Sequence, residues 1–367
     1  MLISAGEPSG DVYAGDLLHK LRGVRPGLDV FGLGGDHVAA AGGRLIAHVR
    51  EVAVVGLIEV LRHLRALRRI FDNILAEVDR ERPSVAVLVD YPDFNLRLAA
   101  RLHRRGIPVV YYVSPQIWAW RRGRLRQLRR YVSRMLVLFP FEEPLYREAG
   151  VPVSFVGHPL VERLQPVADR AAFLRQVGLD PTRPVVAVLP GSRVREVAHN
   201  LPPLRDAAGL LRARRPEVQL ALAAAPHLPD AALAGAGVPI LRECTHDLLG
   251  SADAGIVASG TATIEATLLG LPMVVVYRLS PLTYFLGRPL VRLNRFAMVN
   301  LIAERDVVPE LIQGDFTPER VMTETLRLLD DRARREAMLR DLADVRARLG
   351  GPGASQRAAE AVAALLP

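Results

Sequence analysis

The sequence predicts an α/β protein made of two tandem, doubly wound parallel sheets that face each other across a cleft. Three observations predict it. Short, continuous apolar runs recur along the chain, as in strands buried on both faces. Amphipathic stretches of helical length separate them. The series stops at a connector bearing prolines and charge, Gly157 to Pro184, and then starts again.

The strand candidates of the first series are Leu2–Ala5, Val30–Leu33, Val85–Val89, Val109–Val113, Met135–Leu138 and Val153–Phe155. Helices are expected between them, for example over Gly10–Arg22 and Phe94–Arg105. The connector holds one predicted helix, Ala168–Val177. The second series is Val185–Leu189, Val218–Ala223, Ile240–Leu241, Gly255–Ala258 and Met273–Val276. After Thr317 the chain reads as charged helix, broken by Gly350-Gly-Pro-Gly353 before a last helix, Ala354 to Leu366. The expected division is 1–165, 166–349 and a terminal segment 350–367. By fold analogy that segment crosses back to the first domain or exchanges with a second copy in a homodimer.

The chain has 367 residues and a net charge of +9, and Lys20 is its only lysine. Arginine bias of this kind reads either as genome composition or as attraction to anionic partners. No aromatic-interleaved basic repeat is present, so nucleic acid is not an expected partner. No apolar run approaches the roughly 20 residues that span a bilayer. The first strand starts at residue 2, which leaves no room for a signal peptide, so a cytoplasmic location is expected. Cys244 is the single cysteine, which excludes an intrachain disulfide and a cysteine metal cluster. There is no D-x-D and no histidine–carboxylate cluster, so neither metal nor cofactor is expected.

The most informative stretch is Val257-Ala-Ser-Gly-Thr-Ala-Thr-Ile-Glu265. A buried strand turns through Ser259, Gly260 and Thr261 into a helix that ends near Gly270. Gly260 lets backbone approach a ligand, and the two hydroxyls and the helix N-terminus offer donors and partial positive charge. Glu265 lies one turn in, on the face returning to the strand tip. This is a site for a diphosphate, with a carboxylate for ribose hydroxyls. Val188-Leu-Pro-Gly-Ser-Arg-Val-Arg-Glu196 repeats the logic: Gly191 and Ser192 turn, and Arg193 projects toward the cleft for bidentate pairing with phosphate. Two such tips in one domain mark a nucleotide site.

In the first domain, Ala5-Gly-Glu-Pro-Ser-Gly-Asp11 is a strand-to-helix turn in which Ser9 or Asp11 can cap the helix. It is not G-x-G-x-x-G, so a dinucleotide is not indicated. Asp90 sits at the tip of the predicted strand Val85–Val89 and is placed as a general base, whereas Asp93, after Pro92, reads as a helix N-cap. The loop Tyr111 to Trp120 holds both tryptophans, Trp118 and Trp120, beside an arginine-rich helix. It is either anchored by aromatic packing or is an acceptor wall for a ligand with apolar and anionic parts. Val54, Val55, Leu57, Ile58, Val60 and Leu61 exceed one helix face, and Arg62, Arg65, Arg68 and Arg69 follow. That segment reads as a core helix with a basic end or as a monotopic helix on anionic lipid. Asn300, inside an apolar stretch, caps a turn or bonds a ligand, and His158 touches the cleft or closes a turn.

Taken together these segments resemble the lipid-A-disaccharide synthase family, glycosyltransferases with two Rossmann-like domains of the GT-B type. The resemblance runs nearly end to end. It rests on Gly6-Glu-Pro-Ser-Gly-Asp11, Gly34-Gly35 with Gly42, Ala53 to Leu61, Asp90-Tyr-Pro-Asp-Phe-Asn95, Tyr112 to Arg121 and Phe155-Val-Gly-His-Pro159. In the second half it rests on Leu189-Pro-Gly-Ser-Arg193 with Glu196, Ala258 to Glu265 and Asn300-Leu-Ile-Ala303. Ser-Pro-x-x-Trp-Ala-Trp and Asp-x-Pro-Asp-Phe-Asn are the most specific of these. The resemblance implies transfer from UDP-2,3-diacylglucosamine to 2,3-diacylglucosamine 1-phosphate, with release of UDP, a β-1,6 linkage and no metal. It also implies that Ser9, Asp90, Arg193 and Asn300 occupy positions tied to activity, although Val299 stands where a proline is common. Acylated substrates imply peripheral seating on the inner membrane. The alternative on the same scaffold is a UDP-sugar 2-epimerase or a glycosyltransferase with a soluble acceptor; a basic nucleic-acid module would leave both nucleotide-type tips unused.

Overall fold

A computed structural model describes residues 1–52, 60–115, 117, 123–165, 167–279 and 295–367, with the backbone alone for 60–64. These divide into two units, Met1–Pro159 with Leu349–Pro367, and Leu160–Arg348.

The first unit is built on β1 (Leu2–Ala5), β2 (Phe31–Gly34), β3 (Arg44–His48), β4 (Ala86–Val89), β5 (Val109–Tyr112), β6 (Arg134–Val137) and β7 (Val153–Phe155). They form one parallel sheet in the order β3-β2-β1-β4-β5-β6-β7. Leu2 of β1 registers with Phe31 on one side and Ala86 on the other. Alternate residues go to opposite faces, as strand geometry requires. Leu2, Leu88, Tyr111 and Met135 pack with Ile70, Ile74 and Leu98 of the helices Val60–Glu81 and Pro92–His103. Ile3, Val87, Tyr112 and Leu136 pack with Leu17 and Leu21 of the helix Pro8–Val24 and with Ala358 and Val362 of the last helix, Ala354–Ala363. Arg357 ties that last helix down, donating from Nε to the Val156 carbonyl at 2.8 Å.

The second unit holds β8 (Val185–Leu189), β9 (Gln219–Ala224), β10 (Ile240–Arg242), β11 (Ala254–Ala258), β12 (Met273–Tyr277) and β13 (Glu310–Ile312). Its sheet is again parallel, in the order β10-β9-β8-β11-β12-β13. Every residue of β8 and β11 is buried, as are those of β1, β4 and β5. Full burial of each Val, Leu or Ile stabilises by roughly 1.5–3 kcal/mol. The central strands are therefore the fixed frame from which the loops at their carboxyl ends extend.

Two strands depart from the sequence expectation. Arg44–His48 and Glu310–Ile312 are edge strands, each only partly buried and mixed in polarity. They lack the continuous apolar run that identifies a central strand.

Candidate functional site

Each sheet reverses its strand order once. In the first unit β1 leads outward to β2 while its neighbour β4 leads the other way to β5; in the second, β8 and β11 do the same. Crevices in such sheets open at the carboxyl ends of the strands where the order reverses. The turns after β1 and β4, and after β8 and β11, are the ones the sequence marked.

In the first unit Asp90 and Tyr91 follow β4, and both are left-handed, with φ of 47° and 48°. Consecutive residues of this kind without glycine are costly and need outside support. Asn95 supplies it. The buried amide donates to the carbonyls of Asp90 at 2.8 Å, Val89 at 3.1 Å and Ser4 at 3.2 Å, and its Oδ1 accepts from the Ser4 hydroxyl at 2.7 Å. The Tyr111 hydroxyl donates to the same Asp90 carbonyl at 2.7 Å. The Tyr91 ring lies over Gly6, where an added Cβ would come within 2.2 Å of Cδ1, so the β1 turn has no room for a side chain there. The Asp90 carboxyl is partly buried. Burial first, and the negative charge of Glu7 second, push its pKa up to about 7, against a smaller opposing pull from the Tyr91 backbone amide.

The predicted caps are corrected. The cap position of the helix Pro8–Val24 is Glu7, with no side-chain capping bond; Ser9 is exposed at the helix's second position. Asp11 is buried and serves a different helix: its carboxylate accepts from the amides of Gly35 at 2.5 Å, His37 at 3.0 Å and Val38 at 3.2 Å. Tyr91, not Asp93, is the cap residue of Pro92–His103, because the left-handed pair places the helix start two residues earlier. Asp93 instead pairs with Arg124. His158 is a core group, edge-on to Tyr13 at 6.1 Å, and burial pushes its pKa down to about 3. Val54, Val55, Leu57, Ile58, Trp118 and Trp120 lie outside the described residues, as does the side chain of Leu61.

In the second unit a cavity of about 460 Å³ opens between the tips of β8 and β11, reaching over β9 and β10. Gly191, Ser192, Ser259, Gly260, Thr261 and Glu265 all line it. Gly260 adopts φ 151° and ψ −161°, open only to glycine, and nothing stands within 4 Å of where a Cβ would be. The helix Thr261–Leu268 that follows has no side-chain cap among the described residues, and its first turn lines the cavity. The Ser259 hydroxyl donates to the Phe296 carbonyl at 3.3 Å. Glu265 pairs with His246 at 3.7 Å; the carboxylate raises the imidazole pKa, chiefly through that bond, against a smaller effect of burial. Asn200, wholly buried, fixes the bend after β8 to the end of β12 by donating to the Pro190 carbonyl at 2.9 Å and accepting from the Arg278 amide at 3.1 Å.

Two expected ligand groups stand differently from expectation. Arg193 does not line the cavity: its side chain is 76% exposed and its guanidinium donates to Glu196 at 3.0 Å. Asn300 is buried, and its hydrogen-bonding positions are filled by protein. Its amide donates to the Val308 carbonyl at 2.9 Å and to Glu310 at 2.7 Å, and its oxygen accepts from Val307 at 2.8 Å and Val308 at 2.9 Å. Glu310 also accepts from the amides of Phe296 at 2.8 Å and Ala297 at 3.0 Å. Asn300 thus anchors the segment whose carbonyl meets Ser259, and it has no bond left for a ligand. Sequence reading missed Asn95, Asn200 and His246; an amide within the first two turns of the helix that follows a strand tip is the signal for the first two.

The lipid-A-disaccharide synthetase family profile matches residues 1–365. A lipid-A-disaccharide synthase of Myxococcus xanthus (strain DK1622) is 47% identical over 373 residues, which cover 100% of this chain and 97% of that protein. Among solved structures, the glycotransferase of kitacinnamycin aligns with a TM-score of 0.65 at 19% identity, covering 100% of this chain and 98% of its own. The UDP-GlcNAc 2-epimerase of Neisseria meningitidis bound to UDP-GlcNAc aligns with a TM-score of 0.65 at 11% identity, covering 99% and 98%. At such identities the structural likeness speaks for fold alone, a two-sheet α/β fold of the GT-B type.

Proposed function

Because the chain belongs to the lipid-A-disaccharide synthase family, a family of hexosyltransferases, we propose a specific reaction for it and a division of labour between its two units. The donor is UDP-2,3-diacylglucosamine and the acceptor is 2,3-diacylglucosamine 1-phosphate. The acceptor's 6-hydroxyl oxygen attacks the donor's anomeric carbon, and the bond from that carbon to the diphosphate breaks with its electron pair leaving on UDP. The product is the β-1,6 disaccharide 1-phosphate, formed with inversion.

The second unit takes the donor. The supporting observation is the cavity at the β8/β11 reversal, where a glycine in a glycine-only conformation and a helix N-terminus without a side-chain cap meet a carboxylate one turn on. The diphosphate sits against the Ser259–Thr261 bend and the bend at Gly191 and Ser192, and Glu265 takes the ribose hydroxyls. Positioned dipoles and the Arg193 guanidinium stabilise the charge that develops on UDP, with no metal required. The first unit supplies the base. Asp90, with its pKa near 7, is partly ionised at neutral pH and still basic enough to accept the hydroxyl proton. Asn95 and Tyr111 hold its backbone in place.

The acyl chains of both substrates place the enzyme against an anionic membrane. Arg65, Arg68 and Arg69 are exposed on the helix Val60–Glu81, as are Arg126, Arg129 and Arg130 on Arg124–Tyr131. No helix among the described residues is long and apolar enough to cross a membrane.

Incubation of the purified protein with both substrates, read by mass spectrometry, tests the proposal. It predicts a disaccharide 1-phosphate and one UDP per linkage. UDP-sugar isomerisation without acceptor, or transfer to a soluble sugar alone, overturns it.

A further inference from the structure

The turn after β8 already holds an anion. Glu196 occupies the third position of the helix Val194–Arg214, and its side chain folds back over the bend. Oε2 accepts from the amides of Ser192 and Arg193, both at 3.3 Å, and Oε1 accepts from the Arg193 guanidinium at 3.0 Å. A Cβ built on Gly191 would lie 3.0 Å from the same Oε2, so the carboxylate fills the hollow of the bend. Two successive amides and a guanidinium are the donors that a phosphate oxygen takes at such a turn. Glu196 also lines the cavity, with its side chain only 18% exposed, beside three more carboxylates, Glu243, Asp247 and Glu265. Neither lysine nor arginine is among the described residues on that wall. An arriving diphosphate therefore meets a guanidinium already paired and a wall rich in carboxylates, of which Glu265 pairs with His246.

We propose that Glu196 is an internal stand-in for phosphate, and that donor binding at this turn is an exchange of anions. Arg193 leaves Glu196 for the diphosphate oxygens when the donor enters. Glu196 reclaims the guanidinium when UDP departs, so one side chain both parks the cation and helps expel the product. The exchange rests on the reading that the diphosphate binds at this bend. Bonds of 3.3 Å are long for N–H···O, so releasing them costs little. The same bonds cap the helix, as a glutamate at this position commonly does. A glutamine caps equally well, which lets the charge be tested apart from the cap. Glu196 is thus a positioning residue that sets the affinity for the leaving group.

The test is a calorimetric titration of UDP into the full-length protein and its Glu196→Gln, Arg193→Ala and doubly substituted forms. Glu196→Gln should bind UDP about fivefold more tightly or better, as expected for removing a like charge and freeing a guanidinium at a partly exposed site. In the Arg193→Ala background that gain should shrink to about twofold or less, since no cation is left to release. Unchanged or weaker binding by Glu196→Gln overturns the exchange, and so does an equal gain in both backgrounds. Unchanged affinity in Arg193→Ala alone removes the underlying placement of the diphosphate. A crystal of the unaltered protein with UDP gives an answer independent of variant folding. The exchange predicts the guanidinium on phosphate oxygens and off Glu196; a bound diphosphate with Arg193 still on Glu196 overturns it.

Discussion

Replacing Asp90 by Asn should stabilise this protein at alkaline pH while disabling it. The carboxyl is partly buried beside Glu7, and its pKa rises from 3.8 to about 7. The unfolded chain has lost this proton by pH 5, whereas the folded chain keeps it until about pH 7. Folded protein thus binds more protons across that window, and stability falls as pH rises from about 4 to about 7, then levels. A shift of this size corresponds to roughly 4 kcal/mol at most, and about half of that is reasonable once the site relaxes. Asn tolerates the left-handed backbone at position 90 and carries no charge. Urea denaturation of both proteins at pH 4, 6 and 8 reads the effect. The variant's advantage should be near zero at pH 4 and reach about 2–4 kcal/mol by pH 8, while turnover drops by about 10²- to 10⁴-fold. Wild-type kcat/KM should rise with pH through about 7, because the base acts only when ionised. An advantage that does not vary with pH refutes the burial argument. Undiminished turnover refutes the role as base.

Other consequences follow from named contacts. Gly6→Ala drives a methyl into the Tyr91 ring and should cost about 1–3 kcal/mol by thermal melting. Combined with Tyr91→Gly the penalty should largely vanish, and a fully additive double variant would show that the ring is not the obstacle. Asn300→Ala leaves buried groups of Val307 and Val308 without partners and should cost about 3 kcal/mol or more, while the folded fraction still binds UDP. Loss of UDP affinity without loss of stability would return Asn300 to the ligand. The exposed arginines of the first unit should bring the protein down with vesicles containing anionic lipid at low salt and release it at high salt; protein left in the supernatant at low salt counts against membrane seating.

Much of this was legible in the chain because central parallel strands must be apolar throughout. The runs Leu2–Ala5, Val185–Leu189 and Ala254–Ala258 announce themselves, and a glycine-bearing turn after each marks where a ligand can approach. Two of the four edge strands carry no such signal: Arg44–His48 and Glu310–Ile312 look like loop until a neighbour pairs with them. Asp90 was visible as a carboxylate at a strand end. Its left-handed backbone and the grip of Asn95 were not, because Asn95 reaches the Ser4 carbonyl 91 residues away. The capping assignments to Ser9, Asp11 and Asp93 misled for a related reason. A capping residue type is a local signal, but Asp11 spends its carboxylate on amides of a different helix. Arg193 and Glu196 are three apart in sequence, so their pairing was foreseeable, yet nothing local says that Glu196 lines the cavity and Arg193 does not.

The central claim is that UDP is held in the second unit's cavity, and the chain carries its own reporter there. Cys244 is its single cysteine and lines that cavity. Burial raises the thiol's pKa, so labelling with N-ethylmaleimide should be followed at mildly alkaline pH. UDP should slow the labelling, with half-maximal protection at its calorimetric Kd. Saturating UDP, bound by calorimetry yet leaving the labelling rate of Cys244 unchanged, would place the nucleotide elsewhere and contradict the account.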